Sequence, residues 1–154
     1  MAGTYSQIYI QIVFAVGHRR NLIHPSIEDE IYKYITGVIT NKGQKLLAIN
    51  GMPDHIHILL GMKPSCCLSD LVREIKKSSN EFINTKWPSK HKFYWQGGFG
   101  AFSYSYSALD NVIRYIQNQK QHHRKKLFKQ EYKEFLTNYK VEYDEKYLFE
   151  WLDD

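Results

Sequence analysis

The chain has 154 residues and a formal net charge of +5, and no run in it approaches the roughly 18 uncharged apolar residues that a membrane helix needs. Its first residues, Met1-Ala2-Gly3-Thr4, lack a basic segment leading into an apolar core, so a secretion signal is not expected and the chain reads as cytoplasmic. The adjacent cysteines Cys66 and Cys67 cannot staple distant segments and lack zinc-knuckle spacing, which argues against a disulfide scaffold or a cysteine-based metal site.

With no Pro/Gly/Ser-rich linker, one domain over 1–154 is expected, with a core over about 5–122 and a helical, acidic tail over about 123–154. Residues 5–16 alternate Ile8, Ile10, Ile12, Phe14 and Val16 with a second set of side chains, the mark of a strand. Pro25 suits an early helical position, and Ile27, Ile31, Ile35, Val38 and Ile39 recur at helical spacing until Gly43. Residues 44–51 and 55–62 are β-rich and flank Met52-Pro53-Asp54, a link short enough to demand a hairpin.

Leu68, Leu71, Val72, Ile75, Phe82 and Ile83 then mark one face of a second helix, which should end before Pro88. Gly97, Gly98 and Gly100 suggest a loop, either a joint or a tight turn, entering a last strand near 99–105. Ser107 can cap the next helix, whose buried stripe is Leu109, Val112, Ile113 and Ile116, and a short helix is expected around 125–139. The order β-α-β-β-α-β is the split β-α-β pattern of an α+β, ferredoxin-like antiparallel sheet with two helices on one face, additional C-terminal helices, and the other face free.

Charge is distributed unevenly. Arg73, Lys76 and Lys77 begin one basic stretch and Arg114 to Lys133 span another, whereas the tail is acidic; 12 Tyr, 8 Phe and 3 Trp add flat faces on which unpaired bases can stack. In His55-Ile56-His57, strand alternation sends both imidazoles to one face. Alone, such a pair reads first as hydrogen-bonded histidines, and a metal site needs a third ligand that the tripeptide does not supply. Asp54 can orient His55 or simply form the turn. Tyr115 and Gln119, four residues apart, share a helical face at the rim of the buried stripe, where a tyrosine can serve chemistry or packing alike.

These residues carry a family resemblance. His55-Ile56-His57 resembles the His-hydrophobic-His motif of the HUH nucleases, and Tyr115 followed by Gln119 resembles the Tyr-x-x-x-Gln helix of single-tyrosine insertion-sequence transposases. Met52-Pro53-Asp54 ahead of the histidines, residues 95–103, and His122-His123 after the tyrosine helix extend the similarity over about 5–150, closest to the insertion-sequence and REP-associated branches. The resemblance implies a homodimer that binds single-stranded DNA folded into hairpins at element ends. His55, His57 and Gln119 would hold Mg²⁺ or Mn²⁺, and Tyr115 would attack the scissile phosphate to give a 5′-phosphotyrosine and a free 3′-OH.

Arg19, Arg20, Arg73, Lys76 and Lys77 are candidate phosphate contacts. His122 and His123 can contact phosphate or merely suit a helix C-terminus, and are not assigned as ligands. Two other readings stay open: a domesticated enzyme acting on chromosomal palindromes, and a non-catalytic nucleic-acid-binding module of the same fold.

Overall fold

Strand alternation sorts the central residues into two layers. The computed structural model describes residues 3–122 and 127–142 and places β1 at Tyr9–Ala15, β2 at Lys45–Met52, β3 at His55–Gly61 and β4 at Gly100–Tyr104. They form one antiparallel sheet in the order β2-β3-β1-β4, the expected ferredoxin-like arrangement. Helices α1 (Glu28–Asn41) and α2 (Leu68–Lys86) cover one face. There Ile12 lies opposite Ile58 and Phe14 opposite Ile56, and these four pack with Ile31, Ile35 and Ile39 of α1 and Leu71, Val72 and Ile75 of α2. All are almost completely buried, and each such side chain contributes roughly 1.5–3 kcal/mol.

The opposite face is not free. Helix α3 (Leu109–Gln117) packs Leu109, Val112 and Ile116 against Ala48 and Leu59. Helix α5 (Phe128–Asn138) adds Phe128, Tyr132 and Leu136 to the main core. The pattern in the strands hides this cover, because the residues beneath it include polar ones such as Gln11, His55 and His57, all fully buried. Nor does Ser107 cap α3: Tyr106–Ala108 form a short 3-10 turn, the N-cap is Ala108, and the Ser107 hydroxyl pairs with that of Ser105 at 3.0 Å.

The helix expected to carry both Tyr115 and Gln119 is broken. α3 stops at Gln117, Asn118 turns the backbone, and α4 (Gln119–His122) starts afresh. The cause lies on β2, where the Asn50 Nδ2 donates to the carbonyls of Ile116 and Gln117 at 3.1 Å each and so takes acceptors at the end of α3. Lys120 then ties α4 down, donating to the Glu28 carboxylate at 2.9 Å and to the Gly51 carbonyl. No helix among the described residues is long and apolar enough to cross a membrane.

Gly51 sits opposite Ile56 in the β2–β3 pairing, one position from the site's first histidine. A Cβ there would lie 2.2 Å from the His55 carbonyl oxygen and 2.9 Å from the Ile56 Cα. Backbone cannot step aside cheaply, so Gly51→Ala is expected to cost about 2–3 kcal/mol, measured by urea unfolding.

Candidate active site

The β3 strand delivers the two imidazoles. His55 and His57 point to the same face, both fully buried, with ring centroids 5.2 Å apart. The hairpin that presents them is clamped at its turn: Val16 N–H donates to the Asp54 carbonyl at 2.9 Å and Ile23 N–H to the Pro53 carbonyl at 3.0 Å. Phe128 of α5 stacks on His55 at 3.8 Å with the rings nearly parallel, which fixes the imidazole plane.

Each imidazole has a partner behind it. His55 Nδ1–H donates to Asp54 Oδ1 at 2.7 Å, leaving Nε2 to face the centre, the state in which an imidazole can bind a metal. Asp54 therefore orients the histidine as well as forming the turn. His57 Nδ1 accepts from Gln11 Nε2 at 2.9 Å, Gln11 Oε1 accepts from the Tyr104 hydroxyl at 2.7 Å, and His57 Nε2 stands 3.0 Å from Glu131 Oε1. In this tautomer His57 Nε2 carries a proton. A turn of the Gln11 amide would let Nδ1 carry it instead and free Nε2 for a cation.

Glu131, from α5, is the residue that sequence reasoning missed. It is 2% exposed, and its carboxylate accepts the Tyr115 hydroxyl through Oε2 while Oε1 faces His57 and lies 3.8 Å from His55 Nε2. One ligand atom each from His55, His57 and Glu131 fall within 4.8 Å of one another, a spacing that one cation can span. Mixed nitrogen and oxygen donors suit a borderline or hard divalent ion.

Gln119 is also fully buried, and among the described residues neither atom of its amide makes a well-formed hydrogen bond. It nevertheless sits close enough to Tyr115 to favour that residue's ionised form. A buried amide left without partners is costly unless something completes it. The broken helix thus leaves Tyr115 and Gln119 near one another, though by a different backbone path from the one expected.

Burial governs the site's ionisation. Burial raises Tyr115 well above the usual phenol range and the Glu131 carboxylate raises it further, so its hydroxyl is protonated in the metal-free protein. Burial also lowers His55 to about 4, against the opposing pull of Asp54. The unfolded chain then takes up a proton near pH 6.5 that the folded chain refuses until about 4, so the contribution is complete above pH 6.5 and is lost as pH falls across that window. The expected loss is on the order of 3 kcal/mol, read from urea unfolding at pH 7, 5.5 and 4; His55→Asn should flatten that slope.

The sequence places this geometry in a family. The model of the IS200-like transposases matches residues 4–119, most of the chain and all of the site except α5. The chain belongs to the IS200-like transposase family. This transposase is 22% identical to the ISDra2 transposase TnpA of Deinococcus radiodurans over an alignment of 122 residues, with 76% of this chain and 87% of that protein covered. Among solved structures, a transposase of Deinococcus radiodurans superposes with a TM-score of 0.64 at 22% identity, covering 77% of this chain and 95% of that one. A REP-associated tyrosine transposase bound to a REP hairpin superposes with a TM-score of 0.59 at 17% identity, covering 80% and 73%. At these identities the superpositions establish the shared fold.

The basic residues singled out in the transposase sequence fall in different places. The backbone of Arg19 ends the short 3-10 turn after β1, and exposed Arg20 follows it, both beyond the sheet end where Ala15 pairs with His55. Arg73 and Lys77 are exposed on α2, in the layer away from the histidines, and Arg73 pairs with Asp70 at 3.0 Å. The Lys76 ammonium donates to the Gln96 and Gly98 carbonyls at 2.8 and 2.6 Å and sits 5.4 Å over the Phe14 ring. Burial lowers it to about 8. That grip, with Gly98 at φ 85° and Gly100 approached by the Tyr132 hydroxyl, makes the glycine loop a fastened turn. Residues 123–126 lie outside the described residues, as does most of the acidic tail.

Proposed function

We propose that this transposase cuts and rejoins single-stranded DNA by attack of the Tyr115 oxygen on a scissile phosphate held at the His55/His57 face. The observation that carries the reading is the shared carboxylate: Glu131 joins the Tyr115 hydroxyl to the two histidines within one chain. The residues fit a divalent cation, Mg²⁺ or Mn²⁺, since the three donors converge and the Gln119 amide is buried beside Tyr115. His55 and His57 would hold it with Glu131 or Gln119, and when bound it supplies Lewis-acid polarisation of the phosphate.

The remaining chemistry belongs to side chains. Tyr115 Oη forms a bond to phosphorus while the bond from phosphorus to the 3′ oxygen breaks, and that oxygen keeps the electron pair and takes a proton as the free 3′-OH. The phenolic proton passes to Glu131 Oε2, which already accepts it in a hydrogen bond. Asp54 and Gln11 hold the imidazoles in orientation. Reversal of the same steps joins the 5′-phosphotyrosine end to another 3′-OH.

The proposed partner is single-stranded DNA carrying a hairpin, the kind of ligand bound in the REP-associated relative. Arg19 and Arg20 would meet phosphates near the site, with Arg73 and Lys77 serving a strand that passes round to α2. A homodimer is the proposed assembly. The test incubates labelled single strands taken from the gene's own flanks with protein and Mn²⁺ or Mg²⁺, followed by a denaturing gel. A metal-dependent protein–DNA adduct is expected. Binding without any adduct on those strands would reduce the protein to a nucleic-acid-binding module.

A further inference from the structure

Past the sheet end that carries His55, an open tyrosine ring is held in place by the backbone beside it. Ala15 pairs with His55, Val16 bridges to Trp95, and Gly17 N–H donates to the Tyr94 carbonyl at 2.8 Å. Gly17 follows Ala15 by two residues, at most about 7 Å of chain, so Tyr94 borders the proposed cleavage site. A Cβ at Gly17 would lie 2.3 to 2.7 Å from three Tyr94 ring atoms, so the ring fills the space of the side chain that Gly17 lacks.

His18 stands edge-on to the same ring at 5.9 Å, from a left-handed backbone at φ 56° that residues with a Cβ seldom adopt. Tyr94 nevertheless stays 43% exposed. Packing accounts for a ring that is seated and covered; one that is seated and left open, beside a strained residue, points to a ligand.

Charge identifies that ligand. Arg20, three residues after Gly17, and Lys92, two before Tyr94, are both exposed. On the α2 side Tyr94 borders an open hollow of about 580 Å³ whose charged residues are Lys77, Lys92 and a single acid, Glu81. Cations beside an open aromatic ring are the two parts of a single-strand site: the cations meet phosphates and the ring stacks on a base. A duplex keeps its base faces inside its own stack. Each base on such a ring is worth roughly 5- to 150-fold in affinity, whichever base it is.

We propose that Tyr94 is the stacking platform for one base of the single strand, at the point where the strand leaves the His55 face and turns towards Lys77 on α2. That place along the strand rests on the strand-cleavage reading; stacking on Tyr94 does not. Two measurements keep them apart.

The first titrates a fluorescein-labelled oligothymidylate of about 20 nucleotides with protein, without metal, and follows its anisotropy. Tyr94→Ala should weaken binding at least about five-fold, whereas Tyr94→Phe, which keeps the ring, should stay within about two-fold of the wild type. The slope of log affinity against log salt should be the same for all three, because no phosphate contact is lost. Gly17→Ala, which displaces the ring, should also weaken binding but add nothing in a Tyr94→Ala background, where the space is free. The Tyr94 variants decide even if Gly17→Ala alone does not fold. No saturable binding, an undiminished Tyr94→Ala, a Tyr94→Phe as weak as Tyr94→Ala, or a shallower salt slope would overturn the proposal. So would a Tyr94→Ala protein that binds like the wild type but changes its mass in solution, which gives the ring to a contact between copies.

The second replaces nucleotides by abasic residues, one at a time, in a strand that the wild type cleaves. One position near the cut should lose about as much affinity as Tyr94→Ala causes, and lose nothing further in that variant. Losses that add to Tyr94→Ala at every position overturn the placement. If no strand is cleaved at all, it is the strand-cleavage reading that fails, and the oligothymidylate titration still judges the ring.

Discussion

Tyr115→Phe should still bind strand and metal but form no covalent adduct, with product falling by at least about 10³-fold. The substitution removes one oxygen and keeps the ring, whose edge-on contacts with His57 at 6.0 Å and Phe135 at 5.8 Å hold the position. It also has a structural cost, since Glu131 Oε2 loses the hydroxyl that donates to it inside the protein. Stripping a buried carboxylate of one donor costs about 1–3 kcal/mol, visible as a lower unfolding midpoint. Denaturing gels and unfolding curves run on the same preparation therefore separate the two effects. A folded variant with undiminished adduct would assign the attack to another hydroxyl.

Removing His57 should give the other large effect, a loss of at least about 100-fold in Mn²⁺ affinity, measured by calorimetry on the DNA-free protein. The residue stands between Gln11 and Glu131, so His57→Ala also strands two buried polar groups; His57→Gln keeps a polar side chain and shows whether the loss follows the ligand or the fold. The same titration ranks the two candidates for the third position. Glu131→Gln removes a charge that faces both imidazoles, whereas Gln119→Ala removes a buried amide beside Tyr115. Whichever substitution weakens Mn²⁺ binding more identifies the third ligand, and a Gln119→Ala protein with unaltered titration takes that residue out of the set.

The parts of this site differ in how they were written into the chain. His55 and His57 were legible because a strand has a period of two, and any pair spaced i, i+2 shares a face. The sheet was legible for the same reason, through Ile12, Phe14, Ile56 and Ile58, and its two covering helices through the helical spacing of Ile31, Ile35 and Ile39 and of Leu71, Val72 and Ile75. Gln11 was not, since a glutamine at alternating strand positions looks like a residue facing water. Only α3 and α5 lying over that face turn it into a buried partner of His57.

Glu131 was hidden for a related reason. It stands among Lys129, Lys133 and Glu134 in what reads as an ordinary solvated helix, and no local spacing ties it to residues 74 and 16 positions earlier. The break at Asn118 was equally invisible, because Asn50, which terminates α3, comes from β2. Periodicity reports which face a residue takes on its own element; it carries nothing about an element arriving from elsewhere in the chain.

The hydroxyl of Tyr115, both histidines and Glu131 all come from one molecule and already touch. Copies disabled in different places therefore should not rescue each other: an equimolar mixture of Tyr115→Phe and His57→Ala proteins is expected to yield no adduct. Diluting the wild type should leave the yield per molecule unchanged once every molecule carries a strand. Restored activity in the mixture would mean that the tyrosine helix is exchanged between subunits.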